Sequence, residues 1–265
     1  MAEVDLKGNV ALVTGGSLGI GRATCVALGR AGAHVAVNYR THELEAEEVA
    51  QAVRDGGSRA MLVPGDTADQ QAVEQIVARV VEHFGKLDIL VVNAAYSARE
   101  PFVEARMDGF RRTIDVTMWG AFYPLRATAA EMIRWGTPGT IVLVSSPHAN
   151  IPVAGSMAYN MAKAAVEAMA KTAALELASH QIRVNVIQPG WVDTPGQRKM
   201  ASEETLLWAG RRIPAGRLGT PEEMAHAILF LCDPHNEYIT GSVLRVDGGI
   251  TLPWWAGDAD APKMD

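Results

Sequence analysis

Short apolar runs rich in Val, Ile and Leu alternate along the chain with longer segments whose apolar positions recur at helical spacing. Seven of the short runs read as strands: Asn9 to Thr14, Ala33 to Tyr39, Arg59 to Val63, Leu87 to Asn93, Thr140 to Ser145, Arg183 to Gln188 and Ser242 to Val246. Most are continuously apolar rather than alternating, the pattern of strands covered on both faces. Strands separated by helices, each strand needing cover above and below, predict an α/β fold: a doubly wound parallel sheet of seven strands with helices on both faces.

The helical segments carry their own end signals. Thr220-Pro221-Glu222-Glu223 combines an N-cap Thr, Pro at the first helical position and Glu at the third, a capping box opening a helix that runs to about Cys232. The segment from Ser156 to Ser179 is long and Ala-rich, with Met161, Ala165, Ala168, Thr172 and Leu175 on one stripe, a face suited to close helix packing, including packing between subunits. No repeat, low-complexity tract or Pro/Gly/Ser-rich linker divides the chain, so residues 1–265 are read as one domain. From Gly190 to about Gly219 there is no strand signal and too much length for a plain connector, which predicts a lid. The tail over residues 250–265 carries Pro253, Trp254 and Trp255, paired aromatics that predict docking onto this subunit or a neighbour.

Composition narrows the setting. Of 265 residues 48% are hydrophobic and 20% charged, with a formal net charge of −6, as in a globular chain able to bury a core. Cys25 and Cys232 are the two cysteines, too few for a disulfide scaffold and more simply read as reduced thiols. The start, MAEVDLKGNV, lacks the apolar core of a secretory signal, and no apolar stretch approaches the roughly 18 residues of a spanning helix. These features predict a cytoplasmic protein outside the membrane. The acidic balance, without a dense Lys/Arg run, argues against a nucleic-acid partner.

Chemistry enters at residues 14–21, TGGSLGIG, directly after the first strand and ahead of a helix starting near Leu18. Gly15 suits a tight turn, Gly19 lets the main chain approach a pyrophosphate, and Gly21 lets helix and strand pack closely. Free N–H groups at the helix start face the anion. In strand-turn-helix context the pattern predicts a dinucleotide site. Its spacing, TGxxxGxG, resembles the short-chain dehydrogenase/reductase family, whose sheet is Rossmann-like. The resemblance implies that Ser17 and Ile20 join the glycines in holding the cofactor. Tyr39 stands where the family's NAD-selective Asp falls, and Arg40 follows it. An Arg there accommodates a 2′-phosphate, so NADP is the preferred cofactor. NAD is admitted because Leu18 stands where strongly NADP-selective relatives often carry a base. Asp66 matches the family's adenine-contacting Asp; since Asp69 suits the nearby helix cap, Asp66 is expected to be free for the ligand. Asn93 keeps the family position after the fourth strand, whereas Ala95 replaces a Gly, a change tolerable at negative φ and disturbing at positive φ.

Tyr159 and Lys163, in YNMAK, are four residues apart on a predicted helix and project from one face. A Tyr titrating near 10 is a poor base at neutral pH. A cation about 4 Å away at an effective dielectric near 20 favours the phenolate by roughly 4 kcal/mol, about three pKa units, which predicts a Tyr159 titrating near neutrality. Ser146 precedes Tyr159 by thirteen residues, the spacing at which the family places its catalytic Ser, with Ser145 as rival. Pro189-Gly190 and Thr194 match the family's PGxxxT beside the nicotinamide, which implies that the Val192 main chain binds the carboxamide. With Val246-Asp247-Gly248-Gly249, the resemblance covers residues 5–250. It departs at Thr117 in DVTMWG, where the family has a catalytic Asn at a helix irregularity whose carbonyl is linked through water to the Lys. A Thr117 hydroxyl bonded back to the Thr113 carbonyl would bend the helix and preserve that relay.

VNYR, SSPHANIP and GWVDTPG resemble the glucose 1-dehydrogenase branch more particularly. The resemblance implies hydride transfer between a nicotinamide and a carbinol carbon of a sugar or polyol, with His148 and Trp191 as candidate substrate contacts. Two alternatives stand beside it. One is a 3-oxoacyl reductase-like ketone reductase whose acyl carrier would meet Arg198, Lys199, Arg211 and Arg212. The other is a catalytically weak NADP(H)-binding sensor or scaffold, suggested by Thr117 and Ala95. No metal ligand set is expected. The resemblance also implies a homotetramer, with the Ala-rich helix and the last strand at its interfaces.

Overall fold

Side chains alternate along each strand and so reach two separate cores. In β1 (Val10–Val13), Ala11 and Val13 enter one core and Val10 and Leu12 the other. The computed structural model describes residues 4–252, which contain the remaining strands β2 (His34–Tyr39), β3 (Ala60–Pro64), β4 (Ile89–Val92), β5 (Gly139–Val144), β6 (Ile182–Pro189) and β7 (Val243–Val246). All pair in parallel, in the order β3-β2-β1-β4-β5-β6-β7. Each strand ends within two residues of its predicted limit.

On one face lie α1 (Gly19–Arg30), α2 (Glu43–Asp55) and α9 (Pro221–Cys232), which contribute residues such as Leu28, Val49 and Ile228 to the first core. On the other lie α3 (Gln70–Phe84), α5 (Gly120–Trp135) and α6 (Met157–Leu177), with Val77, Met132 and Val166 in the second core. The chain winds outward through β2 and β3, then returns to place β4 on the other side of β1. That reversal opens a crevice at the carboxyl ends of β1 and β4, the usual ligand position in such sheets.

The predicted caps form. Asp69 accepts from the N–H groups of Gln71 and Ala72 at the start of α3, and Thr220 and Glu223 make both bonds of the capping box on α9. Met161 and Leu175, on the predicted stripe of α6, are exposed. Both cysteines are buried free thiols, and burial pushes their pKa values up. The segment 190–219 holds two short helices, α7 (Pro195–Met200) and α8 (Glu203–Arg211). Its ends are tied together, because Gly219 donates its N–H to the Trp191 carbonyl (2.9 Å) and accepts one from Asp193 (2.9 Å). Between β4 and α5 run α4 (Met107–Ile114) and a π-helical turn, Asp115–Trp119. Among the described residues no helix is long and apolar enough to cross a membrane. Pro253, Trp254 and Trp255 lie outside the described residues.

Candidate active site

The crevice is stapled at its base by two residues that end adjacent strands. The Thr14 hydroxyl accepts from the N–H groups of Asn93 (2.9 Å) and Ala94 (3.1 Å), and the Asn93 amide donates to the carbonyls of Thr14 and Gly15 (both 3.0 Å). Gly15 and Gly19 adopt φ of +62° and +53°, the left-handed region that favours glycine. At Gly21 a Cβ would fall 2.2 Å from the Gly15 carbonyl oxygen, so helix α1 sits against the turn only because that atom is absent. Leu18, at the N-cap, makes no side-chain bond to the first turn of α1, and no acidic residue stands there. Its N–H groups face a cavity of about 400 Å³ lined by Gly15, Ser17, Gly19 and Ile20. These features fit a dinucleotide's pyrophosphate. Asn93 borders the same cavity, but its amide is committed to shaping the turn.

At the far end of this cavity the expectation for Asp66 needs correction. Its carboxylate is not free: Arg112 donates to it at 2.6 Å, Arg40 stands at 3.6 Å, and one oxygen caps Ala68. Burial works to raise its pKa, yet the Ala68 N–H and the Arg112 and Arg40 guanidiniums hold it below the ordinary carboxylate range. The sequence put no partner for Asp66 within reach; Arg112 comes from α4, forty-six residues on. Arg40 remains more than half exposed beside the cavity.

A second cavity of about 460 Å³ adjoins the first, sharing Ile20, Asn93, Ala95 and Thr194. Ser146, Tyr159, Lys163, His148, Trp191 and Val192 all line it, so the predicted set converges on one cleft. Ser145 and Ser146 diverge. Ser145 turns into the core, donating to Glu167 at 2.8 Å, while Ser146 stands beside the Tyr159 phenol. His148 Nδ1 bonds the Asn160 side chain (2.8 Å), and its ring meets Tyr159 edge-on, 5.2 Å between centroids. Burial lowers the His148 pKa and keeps the imidazole neutral at pH 7. The tie between Trp191, Asp193 and Gly219 uses the peptide groups on either side of Val192. Thr194 caps α7 through the Gln197 N–H.

The predicted near-neutral Tyr159 is also corrected. Burial pushes its pKa up to about 12, against the pull of Arg99 and Ser146, while burial brings Lys163 down to about 8 with Glu167 opposing. The Lys163 ammonium faces the Tyr159 ring, 5.5 Å from its centroid, and donates to the Val144 carbonyl at 2.6 Å. The spacing argument counted the ion attraction and omitted the loss of water around both groups.

Comparison with known proteins gives the family. A family model described as Enoyl-(Acyl carrier protein) reductase matches residues 15–251. L-rhamnose 1-dehydrogenase (NAD(P)(+)) of Sphingomonas sp. is 38% identical, over 92% of this chain and 97% of that protein. Glucose 1-dehydrogenase 2 of Bacillus subtilis is 33% identical, over 94% and 96% respectively. A short-chain type dehydrogenase/reductase from Mycobacterium marinum superposes with a TM-score of 0.89 at 34% identity, covering 94% of this chain and 98% of its own. The chain belongs to the short-chain dehydrogenase/reductase family. It is an NAD(P)-dependent oxidoreductase of CH–OH groups.

As a short-chain dehydrogenase/reductase the chain has two unusual positions, and both keep their backbone. Ala95 lies outside the left-handed region, since Gln181 is the non-glycine residue with positive φ among those described. Thr117 sits in the π-helical turn, but not through the predicted bond to Thr113. Instead its hydroxyl donates to the Tyr96 carbonyl (2.7 Å) and accepts the Tyr96 N–H (3.0 Å), while Thr113 bonds back to Gly109. The sequence reading missed three residues at this site: Arg99, Arg112 and Glu167. Only Glu167 left a signal, one helical turn beyond Lys163 on the same face.

Proposed function

We propose that this enzyme transfers hydride between NADP, or less readily NAD, and a carbinol or carbonyl carbon of a sugar or polyol. The observation that carries this reading is the convergence of Ser146, Tyr159 and Lys163 on a cleft continuous with the glycine turn. The nicotinamide supplies the hydride chemistry when bound. Tyr159 moves the proton at the substrate oxygen, Ser146 hydrogen-bonds that oxygen and orients it, and Lys163, held by Val144, supplies positive charge beneath the phenol. Gly15, Ser17, Gly19, Ile20, Gly21 and the Val192 main chain hold the dinucleotide. Asn93 acts by shaping the turn, and Thr194 by bordering both cavities. Arg40, exposed beside the adenosine end, favours a 2′-phosphate, and Asp66 serves by orienting Arg40 and Arg112. His148 and Trp191 offer a neutral imidazole and an aromatic face to a polyol. Thr117 fixes the loop after β4 against the π-helical turn. The names of the rhamnose and glucose dehydrogenases support the substrate class, and segment 190–219 is read as the lid over it. The protein acts in the cytoplasm as a homotetramer.

The ketone-reductase alternative loses part of its basis, because Arg198 is bidentate on Asp193 (2.7 and 2.6 Å) and Arg212 stacks over Trp208. The deciding assay follows reduced nicotinamide with NADP⁺ and NAD⁺ across sugars, polyols and simple alcohols. Turnover of a sugar or polyol, faster with NADP⁺, is expected. In Tyr159→Phe that turnover falls by about 10²- to 10⁴-fold while cofactor still binds. Absence of turnover in either direction, with cofactor bound, would refute the reading, and activity with NAD⁺ alone would refute the role given to Arg40.

A further inference from the structure

We infer that the substrate is an anionic polyol, a sugar-like compound whose carboxylate or phosphate is seated against Arg99. This rests on the cleft proposed above as the substrate site. The chain as a whole carries a net charge of −6, yet among the described residues no Asp or Glu lines that cleft. Its ionic lining consists of Lys163 and Arg99. Lys163 is buried and bonded to Val144 beneath the reacting centre, so it is not placed to grip a distal group. Arg99 is the cation left facing the space.

Arg99 is also distinguished by its lack of a carboxylate. Elsewhere near the two cavities each prominent arginine has one: Arg40 and Arg112 meet Asp66, Arg198 meets Asp193, and Arg106 meets Glu100. Glu100 is Arg99's own neighbour in sequence, and it turns away to bind the Arg106 N–H (2.6 Å) and guanidinium (3.1 Å). Among the described residues Arg99 forms neither an ion pair nor a side-chain hydrogen bond, while its charge is felt at both Tyr159 and His148. A planar guanidinium at the wall of a cleft free of acidic side chains matches a carboxylate or phosphate in bidentate geometry. The same cleft is lined by Gln197, whose neutral amide can donate and accept, and by Thr251, whose hydroxyl donates to Asp247 (2.6 Å) and leaves its oxygen to accept from a substrate hydroxyl.

The test compares matched substrates: a neutral aldose or polyol, the aldonate of the same carbon chain, and the corresponding sugar phosphate, each with NADP⁺ and the intact enzyme. The expected result is that one anionic member has kcat/KM at least tenfold above the neutral one. That ratio falls at least tenfold in Arg99→Gln and is partly restored in Arg99→Lys. The ratio is the proper readout because loss of Arg99's field at Tyr159 would slow all three alike. Which anion responds identifies carboxylate or phosphate. A neutral substrate preferred by the wild type, or a ratio untouched by Arg99→Gln, overturns the inference while leaving the proposed activity standing. If no compound turns over, calorimetric titration of the aldonate and the sugar phosphate into the NADP⁺-loaded protein still decides. Binding that Arg99→Gln weakens at least tenfold supports the anion site; absence of binding by both overturns it.

Discussion

At the residue scale, the protonation states of Tyr159 and Lys163 set the pH dependence in each direction. Tyr159, at about 12, is a phenol at neutral pH and stands ready to donate a proton to a carbonyl oxygen, whereas alcohol oxidation needs the phenolate. The fraction of phenolate rises about tenfold per pH unit below that pKa. Oxidation should therefore climb in kcat/KM from about pH 6 and level off once Lys163 loses its proton above about 8, while reduction stays level and then declines above the same point, as followed to pH 10. Initial rates in both directions over that range check this, and an oxidation profile level between about pH 6 and pH 8 would contradict it. Glu167 sharpens the point. Its carboxylate, 5% exposed, accepts from Ser145 and Gln188 and holds the Lys163 pKa higher than burial alone would leave it. In Glu167→Gln the decline in reduction should begin at lower pH, a shift that a merely structural brace would not produce. Glu167→Ala should in addition cost about 1 to 3 kcal/mol by leaving buried polar groups unpaired, read from denaturant unfolding.

At the scale of elements, local signals proved sufficient where the physics is local. The capping box of α9 was legible because its two bonds join residues three apart, and the strand runs were legible because both faces of each strand are buried. Thr220→Ala should lower stability by about 1 kcal/mol. Glu223 of the same box is bound by Arg217 and the Thr220 N–H and is held at about 2. A depressed carboxyl pKa contributes stability above its unfolded value, and that contribution disappears as pH falls from about 4.5 through about 2. Glu223→Gln should flatten the acid side of a Tm-against-pH curve in that window, by a modest amount because the pair stands in solvent. What the sequence concealed is contact between distant elements. Asp66 looked free because Arg112 lies on another helix, and Arg99 sits in a loop with no motif to mark it. Thr117 looked like a helix-bending Thr because its partner, Tyr96, is twenty-one residues away. Thr117→Val keeps the shape and removes both bonds to Tyr96. It should cost about 1 to 3 kcal/mol in chemical denaturation, with Thr117→Ser retaining most of the stability.

At the scale of the whole molecule, the long face of α6 is the feature a lone subunit leaves unexplained. Leu175 is 81% exposed and Met161 51%, with Ala168 and Thr172 exposed along the same stripe. The flanking α5 side presents Trp119 stacked on Tyr123, with Trp119 41% exposed. An apolar face of small and large side chains is costly in water and suits a two-fold contact, in which every residue is buried twice. Fully burying an exposed Leu or Met side chain is worth about 1.5 to 3 kcal/mol, so with Met161 51% and Leu175 81% exposed the symmetric contact gains roughly half to four-fifths of that amount at each of four side chains. By itself such a contact pairs two subunits; with the last strand, β7, as a second two-fold contact, the proposed tetramer should be the species that sediments at micromolar concentration. Met161→Glu combined with Leu175→Glu places four carboxylates at the same contact, where desolvation and mutual repulsion oppose association. That variant should sediment at half the mass or less while keeping cofactor binding, because neither residue lines the two cavities. A monomeric wild type would remove α6 as an interface. A tetramer indifferent to both substitutions would move the contact to another surface, with the last strand, β7, the next to test.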